Sequence, residues 1–187
     1  MAYADRLTGW LELAHFPHGT SSSHIETQLR RYFTRWGALE QISMDSGTNL
    51  ASEEMVEFFK LWGVSVRLSS ARYPQSNGRA EAAVKVGKRI IMANTGSVGS
   101  LDIDKSSMAM LQYLNTPIRG INKSLVQMAV GRQLRDGIPM ARWHLTVDKH
   151  WGATLRQRER QMADSGAALT ENGPSRKLPV INPGSQV

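Results

Sequence analysis

Apolar residues recur along this chain in two periods, and the periods alternate. Trp10-Leu11-Glu12-Leu13-Ala14 alternates weakly and predicts a strand. The preceding Asp5 to Trp10 reads as the end of another strand followed by a hairpin turn at Thr8-Gly9. Ser23-His24-Ile25-Glu26 has the form of a capping box, with Ser23 capping a helix and Glu26 reaching back to its start. Ile25, Leu29, Phe33 and Trp36 follow at helical spacing, and Gly37 suits the stop. Leu39 to Met44 predicts a short strand that delivers Asp45. Ser52 caps a second helix, with Glu53 and Glu54 at its positive end. Met55, Phe58, Phe59 and Trp62 form the buried stripe of that helix, and Gly63 ends it. Val64, Val66 and Leu68 then alternate with Ser65 and Arg67, the pattern of a half-buried strand.

The second half is more helical. Ser69 to Gly78 is a loop by composition. Ala80 to Ala93 predicts a helix with Ala82, Ala83, Val86, Ile90 and Ile91 as apolar candidates. Gly87 inside it costs about 1 kcal/mol relative to Ala. Asn94 to Ser100 is a Gly/Ser break. Met108, Leu111 and Leu114 predict a helix ending at Asn115-Thr116-Pro117, and Ser124 to Val130 a short one. Ile138 to Ala163, rich in Arg and Gln, reads as a long polar helix bent near Gly152. From Ser165 the shift to Gly, Pro, Ser and Asn predicts a flexible tail. These patterns give an α/β fold with about four strand candidates, divided into a core over 1–115, a helical extension over 116–164 and a tail over 165–187.

Composition narrows the partners. A chain of 187 residues with 41% hydrophobic content supports one ordinary domain plus a tail. No apolar run is long enough for a membrane span, and the start lacks the regions of a signal peptide, so the expected location is the nucleus or cytoplasm and no membrane partner is expected. The absence of cysteine excludes disulfides and Cys-based zinc sites. A net charge of +7 and a pI near 10.1 point to a polyanionic partner, although a solvated basic surface would have the same composition.

The chemistry lies between Met44 and Arg89. Asp45 closes a strand pattern, Glu81 opens a helix, and 35 residues separate them. Two carboxylates placed by different elements can share a hard divalent cation, which takes oxygen ligands. Such ions activate an attacking oxygen and stabilise the leaving one in phosphodiester chemistry. Asp45-Ser46-Gly47-Thr48-Asn49-Leu50, the 35-residue gap and Pro74-Gln75-Ser76-Asn77-Gly78-Arg79-Ala80-Glu81 closely resemble the integrase catalytic core of retroviruses and gypsy-type long-terminal-repeat retrotransposons. Asp5-Arg6-Leu7-Thr8-Gly9-Trp10 and the passage from Asn115-Thr116-Pro117 to Gly131-Arg132-Gln133-Leu134-Arg135 resemble further segments of that family. The resemblance implies a ribonuclease H-like fold, a mixed sheet flanked by helices. It implies DNA integration by strand transfer of retroelement ends, with Mg²⁺ or Mn²⁺ held by an acidic triad. Asp45 and Glu81 match the second and third members of the triad. DNA is the implied partner, and a homo-oligomer is compatible with the family.

The sequence departs from the family's usual residues at Ser46 (Asn), Leu50 (Phe), Leu125 (Pro) and Val130 (Phe). The family's first catalytic Asp precedes the segment that Asp5 to Trp10 matches, so the resemblance implies a core without its first strand. Residues 176–187 resemble the opening of the small barrel that follows the core in this family. Asp5 is a weak substitute for the first Asp, because its context is the second-strand motif; a turn-capping Asp is the plainer reading. A non-catalytic or domesticated DNA-binding relic and a protein-interaction module therefore stand as alternatives to an active polynucleotidyl transferase.

Other residues carry paired readings. Lys85 and Lys88 share a helical face with Glu81 and could meet DNA phosphates, or could form an ordinary Glu–Lys pair worth ~0.2–0.5 kcal/mol. Gln75, Ser76 and Asn77 could contact DNA as a loop, or simply turn the chain. Gly47 and Thr48 would shape the floor of the family's site, or mark a turn. The five histidines show no zinc-ligand spacing.

Overall fold

A computed structural model describes residues 1–17, 19–44, 50, 52–68, 78–97 and 99–171. The N-terminal hairpin joins β1 (Ala2–Ala4) to β2 (Leu11–Leu13), antiparallel, with Ala2 opposite Leu13 and Ala4 opposite Leu11. Its turn is made by Asp5. The Asp5 carboxylate accepts from both the backbone N–H and the hydroxyl of Thr8 at 2.6 Å, and the Gly9 N–H donates to the Asp5 carbonyl at 3.0 Å. A short Asp side chain that captures nearby backbone donors is a local turn device.

The next unit is strand–helix–strand. β3 (Gln41–Met44) and β4 (Ser65–Leu68) run parallel and are linked across α2 (Glu53–Leu61). The expected mixed pairing is present, but among the described residues it is divided between two two-stranded sheets. No described strand bridges them.

α1 (Ser22–Trp36) begins earlier than the pattern predicts. Ser21, rather than Ser23, is the cap. Its hydroxyl accepts from the His24 N–H, and His24 Nδ1 accepts from the Ser21 N–H in return. Glu26 instead pairs with Arg30 at 2.7 Å along the helix. The tertiary reason is Ser22, which is buried and hydrogen-bonds the Ser52 hydroxyl at the start of α2 at 2.9 Å. Ser52 caps α2 as expected, accepting from the Met55 N–H.

Two hydrophobic clusters hold the molecule. The first packs Ile25, Leu29, Tyr32 and Phe33 of α1 against Met55, Phe58 and Phe59 of α2, with Met44 and Val64 beneath. Trp36, expected in this stripe, is 43% exposed and lies instead over Trp10, with its indole N–H donating to Glu12. Tyr32 takes the buried place and stacks on Tyr3, ring centres 5.6 Å apart. Burial, with the nearby Glu12 charge, pushes the Tyr32 phenol up to about 12. The second cluster gathers Leu11, Ala83, Leu114, Leu125 and Val126. It draws on β2, α3 (Gly78–Ala93), α4 (Ile103–Asn115) and α5 (Leu125–Val130).

The long polar helix predicted over 138–163 is divided differently. Pro139 removes a backbone donor, and only a single 3-10 turn, Arg142–Leu145, forms before α6 (Trp151–Glu171). Gly152 sits in the first turn of α6 rather than at a bend, and the helix continues past Ser165 to Glu171. α6 is anchored at its start, where the Trp151 indole N–H donates to the Met128 carbonyl at 2.8 Å. The Trp151 ring lies over Gly131, the left-handed C-cap of α5 (φ 75°), where a Cβ would meet the ring at 3.0 Å. No helix among the described residues is long and apolar enough to cross a membrane.

Candidate nucleic-acid interface

α3 presents two opposite faces. Ala83, Gly87 and Ile90 are buried against the rest of the molecule, at a spacing that stays on one side of a 3.6-residue helix. Gly87 permits a close approach to the hairpin, since a Cβ there would stand 2.7 Å from a methyl of Leu13 in β2. The glycine that weakens the helix in isolation therefore sets its distance from the sheet.

Glu81, Lys85 and Lys88 fall on the other face, and all three are exposed. Glu81 is in the first turn, where the free N–H groups of a helix favour a negative side chain. Among the described residues, neither lysine forms an ion pair with Glu81 or any other carboxylate. The ordinary Glu–Lys pair is thus not made, and among the described residues the stripe presents one carboxylate and two ammonium groups without an ion-pair partner. Arg89, one turn beyond Lys85, is exposed as well and adds a cation that the motif comparison did not single out. Its i+4 spacing from Lys85 was the available signal.

The remaining candidates are placed as follows. Asp45, Gly47, Thr48, Gln75, Ser76 and Asn77 lie outside the described residues. Met44, the last residue of β3, is buried in the first cluster, and Asp45 follows it directly in the chain. Asp5 commits one carboxylate oxygen to Thr8, the turn-capping role. Among the described residues no group of three or more His, Cys, Asp or Glu side chains converges as a metal site. The exposed Glu81 carboxylate makes no ion pair among the described residues, and carboxylate oxygen is a donor that a hard divalent ion takes.

Behind α3, the family-like passage after α4 has a structural role. The side chain of Asn115, buried at the end of α4, donates to the Leu134 carbonyl at 2.7 Å and to the Asp136 carboxylate at 2.9 Å. Its oxygen accepts from the Leu134 N–H at 3.1 Å. This clip joins Asn115-Thr116-Pro117 to Gly131-Arg132-Gln133-Leu134-Arg135, and the Asn115 hydrogen bond holds the Asp136 carboxyl below its usual range. A further tether escaped the sequence pattern: Arg158 of α6 donates to the Leu7 carbonyl in the hairpin turn. No periodic signal marks a contact between residues so far apart in the chain.

No family model matches the chain. In sequence it is 29% identical over 122 residues to the Gag-Pol polyprotein of baboon endogenous virus (strain M7), covering 64% of this chain and 7% of that protein. It is 32% identical over 108 residues to the uncharacterized protein K02A2.6 of Caenorhabditis elegans, covering 57% and 8%. It is 26% identical over 118 residues to the Pol polyprotein of radiation murine leukemia virus (strain Kaplan), covering 63% and 20%. The chain thus matches only a small part of the length of these relatives. In structure it is similar to a chain of the simian T-cell lymphotropic virus intasome solved with the PP2A regulatory subunit B56 gamma, with TM-score 0.61 and 20% identity over 75% of this chain and 50% of that one. It is also similar to the HTLV-2 integrase catalytic core domain in complex with magnesium (TM-score 0.56, 15% identity, 68% of this chain and 82% of that one). The catalytic core of BIV integrase gives TM-score 0.54 at 14% identity, with the same coverage. Over somewhat less than two thirds of its length the chain is similar in sequence to retroviral Gag-Pol and Pol polyproteins, and its fold is that of the integrase catalytic core.

Proposed function

We propose that this chain is the DNA-acting part of a retroelement integrase, with Glu81 and Asp45 as metal-holding carboxylates and Lys85 and Lys88 as phosphate contacts. The observation that carries the reading is the exposed stripe on α3. Its carboxylate and both lysines point away from the packed face, and none is neutralised by a neighbour among the described residues.

The proposed division of labour follows from charge. Lys85 and Lys88 hold the backbone of a DNA end by releasing its counterions, which makes binding salt-dependent and largely independent of sequence. Gln75, Ser76 and Asn77, just ahead of α3 in the chain, supply neutral donors to phosphate oxygens. Glu81 and Asp45 together would hold Mg²⁺ or Mn²⁺. That ion, when bound, supplies the charge that stabilises the attacking and leaving oxygens of a phosphodiester. The Glu81 carboxylate must be open to an incoming ion for this, and its exposed first-turn position leaves it so. Strand transfer of retroelement DNA ends is the reaction this arrangement serves.

The test is a titration of the chain with duplex DNA at several salt concentrations, with and without Mg²⁺. Lys85→Ala with Lys88→Ala is expected to flatten log K against log salt by about 1.8, the worth of two phosphate contacts. Glu81→Gln is expected to abolish the added affinity that Mg²⁺ provides. An unchanged slope places the DNA contacts elsewhere. Mn²⁺-supported joining of a labelled DNA end that survives Glu81→Gln refutes the carboxylate's role.

A further inference from the structure

Most of the net positive charge of this protein lies outside the segment that contains Asp45 and Glu81. Residues 1–115, which contain Asp45 and Glu81, carry twelve Lys and Arg against eleven Asp and Glu. Residues 116–164 carry nine against four. The extension therefore supplies most of the net +7, and its cations are distributed in a definite way.

α6 uses its arginines on two sides. Arg158 turns inward and donates to the Leu7 carbonyl, so it ties the helix to the hairpin. Arg156 and Arg160, one turn apart, are exposed on the far side, and among the described residues neither forms an ion pair. With Ala153, Gln157, Gln161 and the acidic Asp164 they form one open side of α6. Arginine can fork two N–H groups onto a phosphate, and glutamine adds neutral donors.

A second observation lies on the 3-10 turn that leads into α6. Trp143 is 73% exposed, although the protein has buried apolar surface available on both clusters. It is flanked by exposed Arg142, and its ring sits 5.8 Å from that of His144. The turn is held from behind, because the Gln133 N–H donates to the His144 carbonyl at 2.9 Å and the Asp148 N–H to the Gly131 carbonyl at 2.8 Å. Asp148 also accepts from Lys123 at 2.7 Å. The indole is thus an exposed flat face on a fixed turn, beside the Arg142 cation. Successive bases of a single strand stack on such platforms while basic side chains follow the backbone.

We propose that the extension is a second nucleic-acid surface, separate from the α3 stripe, which takes a single-stranded stretch. In this arrangement Arg156 and Arg160 hold its phosphates and Trp143 stacks on an unpaired base. The inference does not depend on the metal-holding role proposed for Glu81.

The experiment measures binding of the whole chain to a labelled oligothymidine strand and to a duplex of equal length. On the single strand, Arg156→Gln with Arg160→Gln is expected to lower the salt slope by about 1.4, two contacts at about 0.7 each. Trp143→Ala is expected to weaken single-strand binding about tenfold, Trp143→Phe to restore most of it, and neither to change duplex binding. Lys85→Ala with Lys88→Ala should leave the effect of Trp143→Ala intact, which separates this surface from the α3 stripe. All these side chains are exposed, and far-UV circular dichroism and melting curves matching the parent establish that each variant is folded. An unchanged slope in the arginine variant overturns the proposal. So does a Trp143→Ala protein that binds the single strand like the parent, or a Trp143→Phe protein as weak as Trp143→Ala.

Discussion

The two hydrophobic clusters are assembled over different reaches of the chain. The first is made by neighbours in sequence: α1, β3, α2 and the residue that leads into β4 supply all of its buried members. Ring stacking of Phe33 on Phe58, with edge contacts from Phe59 and Trp62, does much of the packing. The second brings Leu11 of the hairpin to Val126 of α5, with α3 and α4 between. Its partners are distant in the chain, so it depends on joints that the first cluster does not need: the glycine at 87, the Asn115 clip and the Trp151 and Arg158 anchors. The lesson is that the face bearing Glu81, Lys85 and Lys88 is aimed by the long-range cluster, while the strand before Asp45 belongs to the local one. Any site shared by Asp45 and Glu81 would have to span both.

Breaking the clip should separate the two clusters most clearly. Asn115→Ala leaves both the N–H and the carbonyl of Leu134 without their partner, and is expected to cost about 3 kcal/mol of stability in urea unfolding. Hydrogen exchange should show the loss concentrated in α4 and α5, with α1 and α2 amides still protected. Equal loss of protection in α1 and α2 would mean that the clusters open as one unit.

A smaller effect is expected at the α3–hairpin contact. Gly87→Val adds methyls where a single Cβ would already crowd Leu13, and should destabilise by about 2 kcal/mol. Unchanged stability would mean that α3 can move away from β2 without cost, and the same displacement would then be available to the Glu81 stripe.

The smallest effect has the opposite sign and lies in the local cluster. Among the described residues the buried Tyr32 hydroxyl has no hydrogen-bond partner, so Tyr32→Phe should stabilise by about 1 kcal/mol at neutral pH. The pH dependence sharpens the test. With its folded pKa raised from 10.0 to about 12, chiefly by burial, Tyr32 stays neutral in the folded protein while the unfolded chain ionises. Its contribution is complete below pH 10 and is lost as pH rises toward 12. Tyr3, raised to about 12 in the same way, adds to the alkaline loss. Tyr32→Phe should therefore lose less stability than the parent between these pH values, and an identical alkaline profile would show that the phenol does not titrate with unfolding.

Much of the local structure was legible in the residues. Ser52, Gly37, Gly63 and Ser124 mark helix ends where the structure has them, because a cap is a bond between neighbours in the chain. Of the stripe Met55, Phe58, Phe59 and Trp62 the first three are buried and Trp62 is half-buried, whereas Val66 and Leu68, expected on the buried side of β4, are exposed. The start of α1 was misread by two residues, because Ser21, Ser22 and Ser23 are equivalent in sequence and only the contact of Ser22 with Ser52 distinguishes them. Trp36 was misread for a related reason: helical spacing puts it on the apolar stripe, but Trp10 and Glu12 in the hairpin offer it both a ring and an acceptor. In the candidate site, the placement of Glu81, Lys85 and Lys88 on one face followed from the helical period alone. That this face is the exposed one, with its charges unpaired among the described residues, did not.

The sequence by itself determined the order and type of the elements up to α5, the two integrase-like motifs with their 35-residue separation, and the excess of positive charge. These are properties of short segments or of composition, where each residue acts on its immediate neighbours. Only the tertiary structure decided that the described strands pair as two separate sheets, and that Gly87 is a contact rather than a defect. It likewise decided that α6 turns one arginine to the hairpin and two to solvent. Each of these depends on which distant surface arrives against a residue, and a pattern along the chain carries no information about that arrival.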